Sequence, residues 1–248
     1  MFKLALNAGH YMGSAGKKCE KSLDPNETRE WWLNNRICDK IEEKLKTYDG
    51  YQLLRIDDTT GATDVSLANR TTKANSWGAD FYLSIHHNAG IYGGSGGGVV
   101  AYVYTKVDDT TKAWQKELYD AIISKTGLKG NRSTPLAASN LYECRKTTMP
   151  CVLLECGFMD SKTDVPIILS EDYADKVASA CVEVIVARGG LTKKVVETPA
   201  ETVTINVEID EPKEAEESAT DIVKDNASVI IKFFEFLIKI IKKLFEKE

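Results

Sequence analysis

The sequence predicts an α/β fold, a twisted and mostly parallel sheet flanked by helices, followed by an acidic linker and a C-terminal amphipathic helix. Three observations carry this expectation. Short β-rich runs alternate with longer segments of helical spacing over the first 190 or so residues. Several of the runs are close to continuously apolar, as strands covered on both faces are. After Gly190 the composition changes, first to an acidic stretch over 197–221 with few large apolar groups and then to a strongly apolar stretch with a narrow polar stripe.

In chain order, the strand candidates are FKLALN (2–7), YQLLRI (51–56), ADFYLSIHH (79–87), GGVVAYVYT (97–105) and CVLLEC (151–156). Between them lie EWWLNNRICDKIEEKLKTY (30–48), VSLANRTTKANSW (65–77), TTKAWQKELYDAIISKTG (110–127) and EDYADKVASACVEVIVARGG (171–190), each with apolar residues at helical spacing and several closed by glycine. GIYGGSGGGVV (90–100) has glycine in six of eleven places, which reads either as a tightly turning loop bordering a groove or as a simple hairpin-like connection.

At 248 residues, 43% hydrophobic and 28% charged, the chain has the composition of a globular protein with one substantial core, and disorder throughout is excluded. The net charge of -5 argues against nucleic acid as a partner, which needs clustered Lys and Arg. That charge sits in one place. From Glu197 to Asp221 nine acidic residues face a single Lys213, while the first 196 residues are near neutral, at about +1. Six cysteines without a C-x-x-C pair read as buried, reduced thiols, Cys151 and Cys156 packing around the last strand. No window reaches the roughly 18 uninterrupted apolar residues of a membrane span. The apolar stretch before Asn7 is too short for the h-region of a secretory signal, so synthesis in the cytoplasm is expected.

All three histidines fall at strand ends: His10 after the first strand, and His86 and His87 closing the third candidate strand. Glu155 sits in the last, otherwise apolar strand, where an unpaired carboxylate would be costly. Parallel strands bring such ends to one edge. Two imidazoles and a carboxylate at one edge make an open zinc site, with a fourth position for water. Successive strand side chains point to opposite faces, so His86 and His87 cannot both serve that site.

These residues resemble the zinc-dependent N-acetylmuramoyl-L-alanine amidases that cut bacterial peptidoglycan, especially catalytic domains of clostridial and clostridial-phage endolysins. The resemblance rests on LNAGH, an acidic residue opening the first long helix, SIHHNA, and MPCVLLECGFMDS, in that order, and covers nearly all of residues 1 to 190. It implies a Zn2+ ion held by His10, Glu30 and His86, with Glu155 as the catalytic carboxylate. Glu27 competes with Glu30 for the middle position. Counting from Glu30 gives Asn34, Ile37, Ile41 and Leu45 as the inward stripe, whereas Glu27 gives a poorer core face, which selects Glu30. Glu27 is then left to favour the helix N-terminus. His87 is open to two roles, lining the groove or supporting the ligands, and equally to none.

The implied reaction is hydrolysis of the amide between N-acetylmuramic acid and L-alanine, with peptidoglycan as the partner, and the implied setting is that of an endolysin or wall-lytic enzyme acting at the wall after release. The alternatives on the same fold are a catalytically inactive wall-binding module and a zinc peptidase. The expected organisation is a zinc amidase domain over 1–192, an acidic linker over 193–221 and an amphipathic helical tail over 222–248. In that tail Lys232, Glu235, Lys239, Lys242 and Glu246 form a narrow polar stripe of both signs, favouring self-association over a membrane surface.

Overall fold

A computed structural model describes residues 1–194, so the expected linker beyond Lys194 and the whole expected helical tail lie outside the described residues. The described elements are β1 (Phe2–Ala8), α1 (Glu30–Leu45), β2 (Tyr48–Asp49), β3 (Tyr51–Arg55), α2 (Leu67–Trp77), β4 (Phe81–Asn88), β5 (Val99–Val103), α3 (Asp109–Thr126), β6 (Leu136–Ala138), α4 (Tyr142–Lys146), β7 (Cys151–Phe158), α5 (Val165–Ile168), α6 (Glu171–Gly189) and β8 (Thr192–Lys193). Among them, no helix is long and apolar enough to cross a membrane.

Six strands form one sheet in the order β3-β1-β4-β7-β5-β6. All neighbours run parallel except β5 and β7, which are antiparallel. The fold is therefore the α/β class expected. The hairpin-like reading of the glycine-rich stretch is wrong, because β7 lies between β4 and β5 and the loop has to cross over it. β2 and β8 pair separately as a short antiparallel ribbon.

Strand alternation sorts the side chains into two layers. On one face Leu4, Leu6, Phe81, Leu83, Ile85, Val152 and Leu154 pack beneath α1, α3 and α6. On the other, Ala5, Tyr82, Cys151 and Leu153 meet Ala74 of α2 and Cys144 of α4. Asn34, Ile37, Ile41 and Leu45 of α1 are fully buried, which is the stripe that the Glu30 register predicts. α2, α3 and α6 open on Ser66, Asp108 and Ser170, whose side chains accept a first-turn N–H, and each ends at a glycine in left-handed conformation. All six cysteines are free and buried, as expected.

The second face changes character toward the carboxyl ends of the central strands. Continuing its alternation past Ala5, Tyr82 and Leu153 gives Asn7, Ser84, His86 and Glu155, so a polar patch replaces the apolar layer at that edge.

Candidate metal centre

His10 leaves β1 through a tight passage. The Gly9 amide donates to the Ile85 carbonyl at 2.9 Å. A Cβ on Gly9 would lie 2.1 to 2.4 Å from atoms of the His86 ring, so only glycine lets the two strand ends come this close. His10 itself has φ 65, a left-handed backbone uncommon outside glycine. The buried Arg70 guanidinium holds that turn by donating to the Ala8 and His10 carbonyls, each at 2.8 Å, and to Asn7 Oδ1 at 2.6 Å.

Glu30 is the first residue of α1, its amide donating to the Lys17 carbonyl at 3.0 Å, and it is 1% exposed. Its Oε1 lies 3.1 Å from His86 Nδ1 and accepts the His87 amide at 3.2 Å. Its Oε2 lies 3.3 Å from His10 Nε2 and 3.6 Å from Lys17 Nζ. One ligand-type atom each from His10, Glu30 and His86 can be chosen so that all lie within 4.8 Å of one another. Tetrahedral zinc with bonds of about 2.0–2.1 Å separates its ligand atoms by roughly 3.3 Å, close to the two carboxylate–imidazole distances here. Glu30 Oε2 and His86 Nε2 are both shielded from solvent without a hydrogen-bond partner among the described residues. The donor set and its unmet oxygen fit a zinc ion.

The electrostatics agree. Burial works to raise the Glu30 carboxyl, but the adjacent His10 and His86 rings overcome it and hold the group well below the usual carboxylate range. Burial likewise opposes charge on His86, and the carboxylates of Glu143 and Glu30 reverse the balance, pushing it up to about 10. The cluster is built to hold positive charge.

Glu155 stands beside this group rather than in it. It is the register partner of His86 across β4 and β7. Its Oε2 has no hydrogen-bond partner among the described residues, and burial, reinforced by Glu30 and opposed by His86, pushes the carboxyl up to about 7. A carboxyl of that affinity exchanges protons readily near neutral pH.

His87 points to the α1 side, 2% exposed, with Nδ1 2.8 Å from Asn34 Oδ1; Asn34 in turn donates to the Gly9 carbonyl at 3.1 Å. It does not line a groove; with its amide on Glu30, it braces the elements that carry the cluster. Burial lowers its pKa to about 3, so the ring stays neutral. Glu27 precedes the helix instead of joining its first turn, and pairs with Lys18.

Two supporting residues, Arg70 and Glu143, carry no sequence signal of their own, and Asn34 is marked in the sequence only as part of the inward stripe of α1. A cleft of about 230 Å³ lies beside the cluster, with Ser66, Arg70 and Glu143 among its walls. The glycine-rich loop is tied down at its start, where Asp160 Oδ2 accepts the amides of Gly90, Ile91 and Tyr92 at 2.8, 2.9 and 2.8 Å.

Comparison with known proteins points one way. A family model described as N-acetylmuramoyl-L-alanine amidase matches residues 4–187. The sporulation-specific N-acetylmuramoyl-L-alanine amidase of Bacillus subtilis (strain 168) is 32% identical over 185 residues, spanning 72% of this chain and 64% of that protein. The endolysin of Bacillus phage SPP1 is 34% identical over 128 residues, 52% of this chain and 47% of its own length. The chain thus spans less than two thirds of the length of these relatives. The crystal structure of an N-acetylmuramoyl-L-alanine amidase from Clostridium difficile 630 superposes with a TM-score of 0.67 at 25% identity, over 75% of this chain and 95% of that one.

Proposed function

The chain belongs to the N-acetylmuramoyl-L-alanine amidase family, and from that premise we propose that it is a zinc hydrolase cleaving the amide between N-acetylmuramic acid and L-alanine in bacterial peptidoglycan. The observation that carries the reading is the meeting of His10, Glu30 and His86 around an unmet carboxylate oxygen, with Glu155 alongside.

A zinc ion held by His10, Glu30 and His86 would supply Lewis acidity toward the scissile carbonyl and lower the pKa of a bound water toward about 7. Glu155 would hold at Oε2 the proton lost by the attacking water and deliver it to the alanine nitrogen as the C–N bond breaks, a role suited to a carboxyl whose affinity burial raises toward neutrality. Glu30 keeps its charge despite burial, and so keeps both imidazoles turned toward one point. His10, with a quarter of its side chain exposed, marks the side from which substrate approaches.

Purified protein should carry about one zinc ion per chain, and His86→Ala should lose it. Protein with full fold and no zinc affinity would leave the inactive wall-binding module as the better reading.

The similarity to a phage endolysin supports wall lysis as the setting. We assign residues 1–192 to catalysis, 193–221 to a linker and 222–248 to self-association, the last two on sequence pattern. Truncation after Lys194 should leave zinc binding intact and lower the mass seen by light scattering. An unchanged mass would remove the self-association role, and tail-dependent sedimentation with liposomes would replace it with a membrane surface.

A further inference from the structure

Glu143 is a carboxylate that the reaction as described does not use. It is 3% exposed in the five-residue α4, on the second face of the sheet. Burying a carboxylate is costly unless it is paired and hydrogen-bonded. Its Oε1 accepts Asn7 Nδ2 at 2.9 Å and the Tyr82 hydroxyl, and its Oε2 accepts the Ser84 hydroxyl at 3.4 Å. Asn7 is itself held by Arg70 at 2.6 Å. The carboxylate is therefore fixed from three strand positions, and its second oxygen is left facing His86.

The two nitrogens of His86 look at different carboxylates. Nδ1 is 3.1 Å from Glu30, inside the cluster, while Nε2 is 3.7 Å from Glu143 Oε2. That approach is too long for a closed hydrogen bond, yet Nε2 is shielded and has no hydrogen-bond partner among the described residues. A neutral imidazole carries one ring proton, and a nitrogen that gives its lone pair to a cation cannot hold it. If Nδ1 serves the cluster, the proton is on Nε2, and Glu143 is the acceptor facing it.

We propose that Glu143 is a positioning residue: it receives the Nε2 proton of His86 and fixes the tautomer and ring orientation that aim Nδ1 at Glu30 and His10. The inference rests on the reading of these three residues as a zinc site. Carboxylates placed behind metal-bound histidines in this way typically strengthen metal affinity by about 10–100-fold.

The test is zinc affinity by chelator competition on the full chain, for wild type, Glu143→Gln and Tyr82→Phe. Glu143→Gln should weaken zinc binding by about 10–100-fold. Tyr82→Phe removes one of the hydrogen bonds that fix Glu143 but keeps the carboxylate, and should weaken zinc binding less than Glu143→Gln does. Equal affinity in wild type and Glu143→Gln overturns the positioning role alone; a wild type that binds no zinc overturns the zinc reading as well. Should Glu143→Gln not fold, nitrogen NMR of ¹⁵N-histidine-labelled, zinc-loaded wild type decides. A protonated Nε2 and metal-bound Nδ1 on His86 support the assignment, and the reverse pattern overturns it.

Discussion

His86 and Glu155 are register partners on neighbouring parallel strands, so one edge of the sheet presents an imidazole to the Glu30 cluster and, beside it, a carboxylate oxygen with no partner. In the proposed reaction, metal holding and proton transfer would fall to these adjacent positions, which cannot drift apart without breaking the β4–β7 ladder. Either residue can be altered without removing the other's support.

The raised Glu155 carboxyl makes stability depend on pH in metal-free protein. Its folded affinity, about 7, lies above the ordinary 4.5, so the folded state holds more protons between those values. Its contribution is fully present below about pH 4.5 and lost as pH rises through about 7, at most about 3 kcal/mol. Urea unfolding in chelator should show the stability difference between wild type and Glu155→Gln shrinking or reversing as pH rises across this window. A difference independent of pH would mean that the carboxyl is not perturbed.

Gly9→Ala tests the close approach of the strand ends. The added Cβ meets the His86 ring at under 2.5 Å, so either the ring or the β1 end has to move. Overpacking of this kind costs about 1–3 kcal/mol. Thermal unfolding of the metal-free variant should fall accordingly, and zinc affinity with it. A variant matching wild type in both would show that the passage is not tight.

Glu30 and Glu27 differ in role despite lying three residues apart. Glu30→Ala should abolish zinc retention, since it removes the buried carboxylate between two imidazoles. Glu27→Ala should retain zinc, because Glu27 faces Lys18 and not the cluster. Metal analysis after dialysis separates them; the opposite pattern would shift the helix register.

The extent to which the sequence foretells this arrangement depends on range. Local periodicity suffices for β1, β4 and β7 and for the Glu30 register of α1, because apolar residues repeat where burial demands it. Strand ends in a parallel sheet then bring His10, His86 and Glu155 to one edge without further information. Glu143 is different: α4 is too short to show a period, and its partners Asn7 and Tyr82 lie 136 and 61 residues away. Arg70 reads as an ordinary helix arginine until the His10 carbonyl is found under it. The antiparallel direction of β5 is set by pairing with β7, which no pattern within VVAYV reveals. His87 shows the limit well, since alternation excludes it from the cluster but says nothing of Asn34 waiting on the other face.

The proposed reaction is a zinc-dependent cut between N-acetylmuramic acid and L-alanine, with Glu155 carrying the proton. Mass spectrometry of purified peptidoglycan digested by the zinc-loaded protein tests it most directly. The expected products are stem peptides beginning with a free L-alanine amine and glycan strands with no new reducing ends, formed at least about 100-fold more slowly by Glu155→Gln with its zinc retained. New reducing ends, cuts within the stem peptide, or a Glu155→Gln variant within about tenfold of wild type would contradict it.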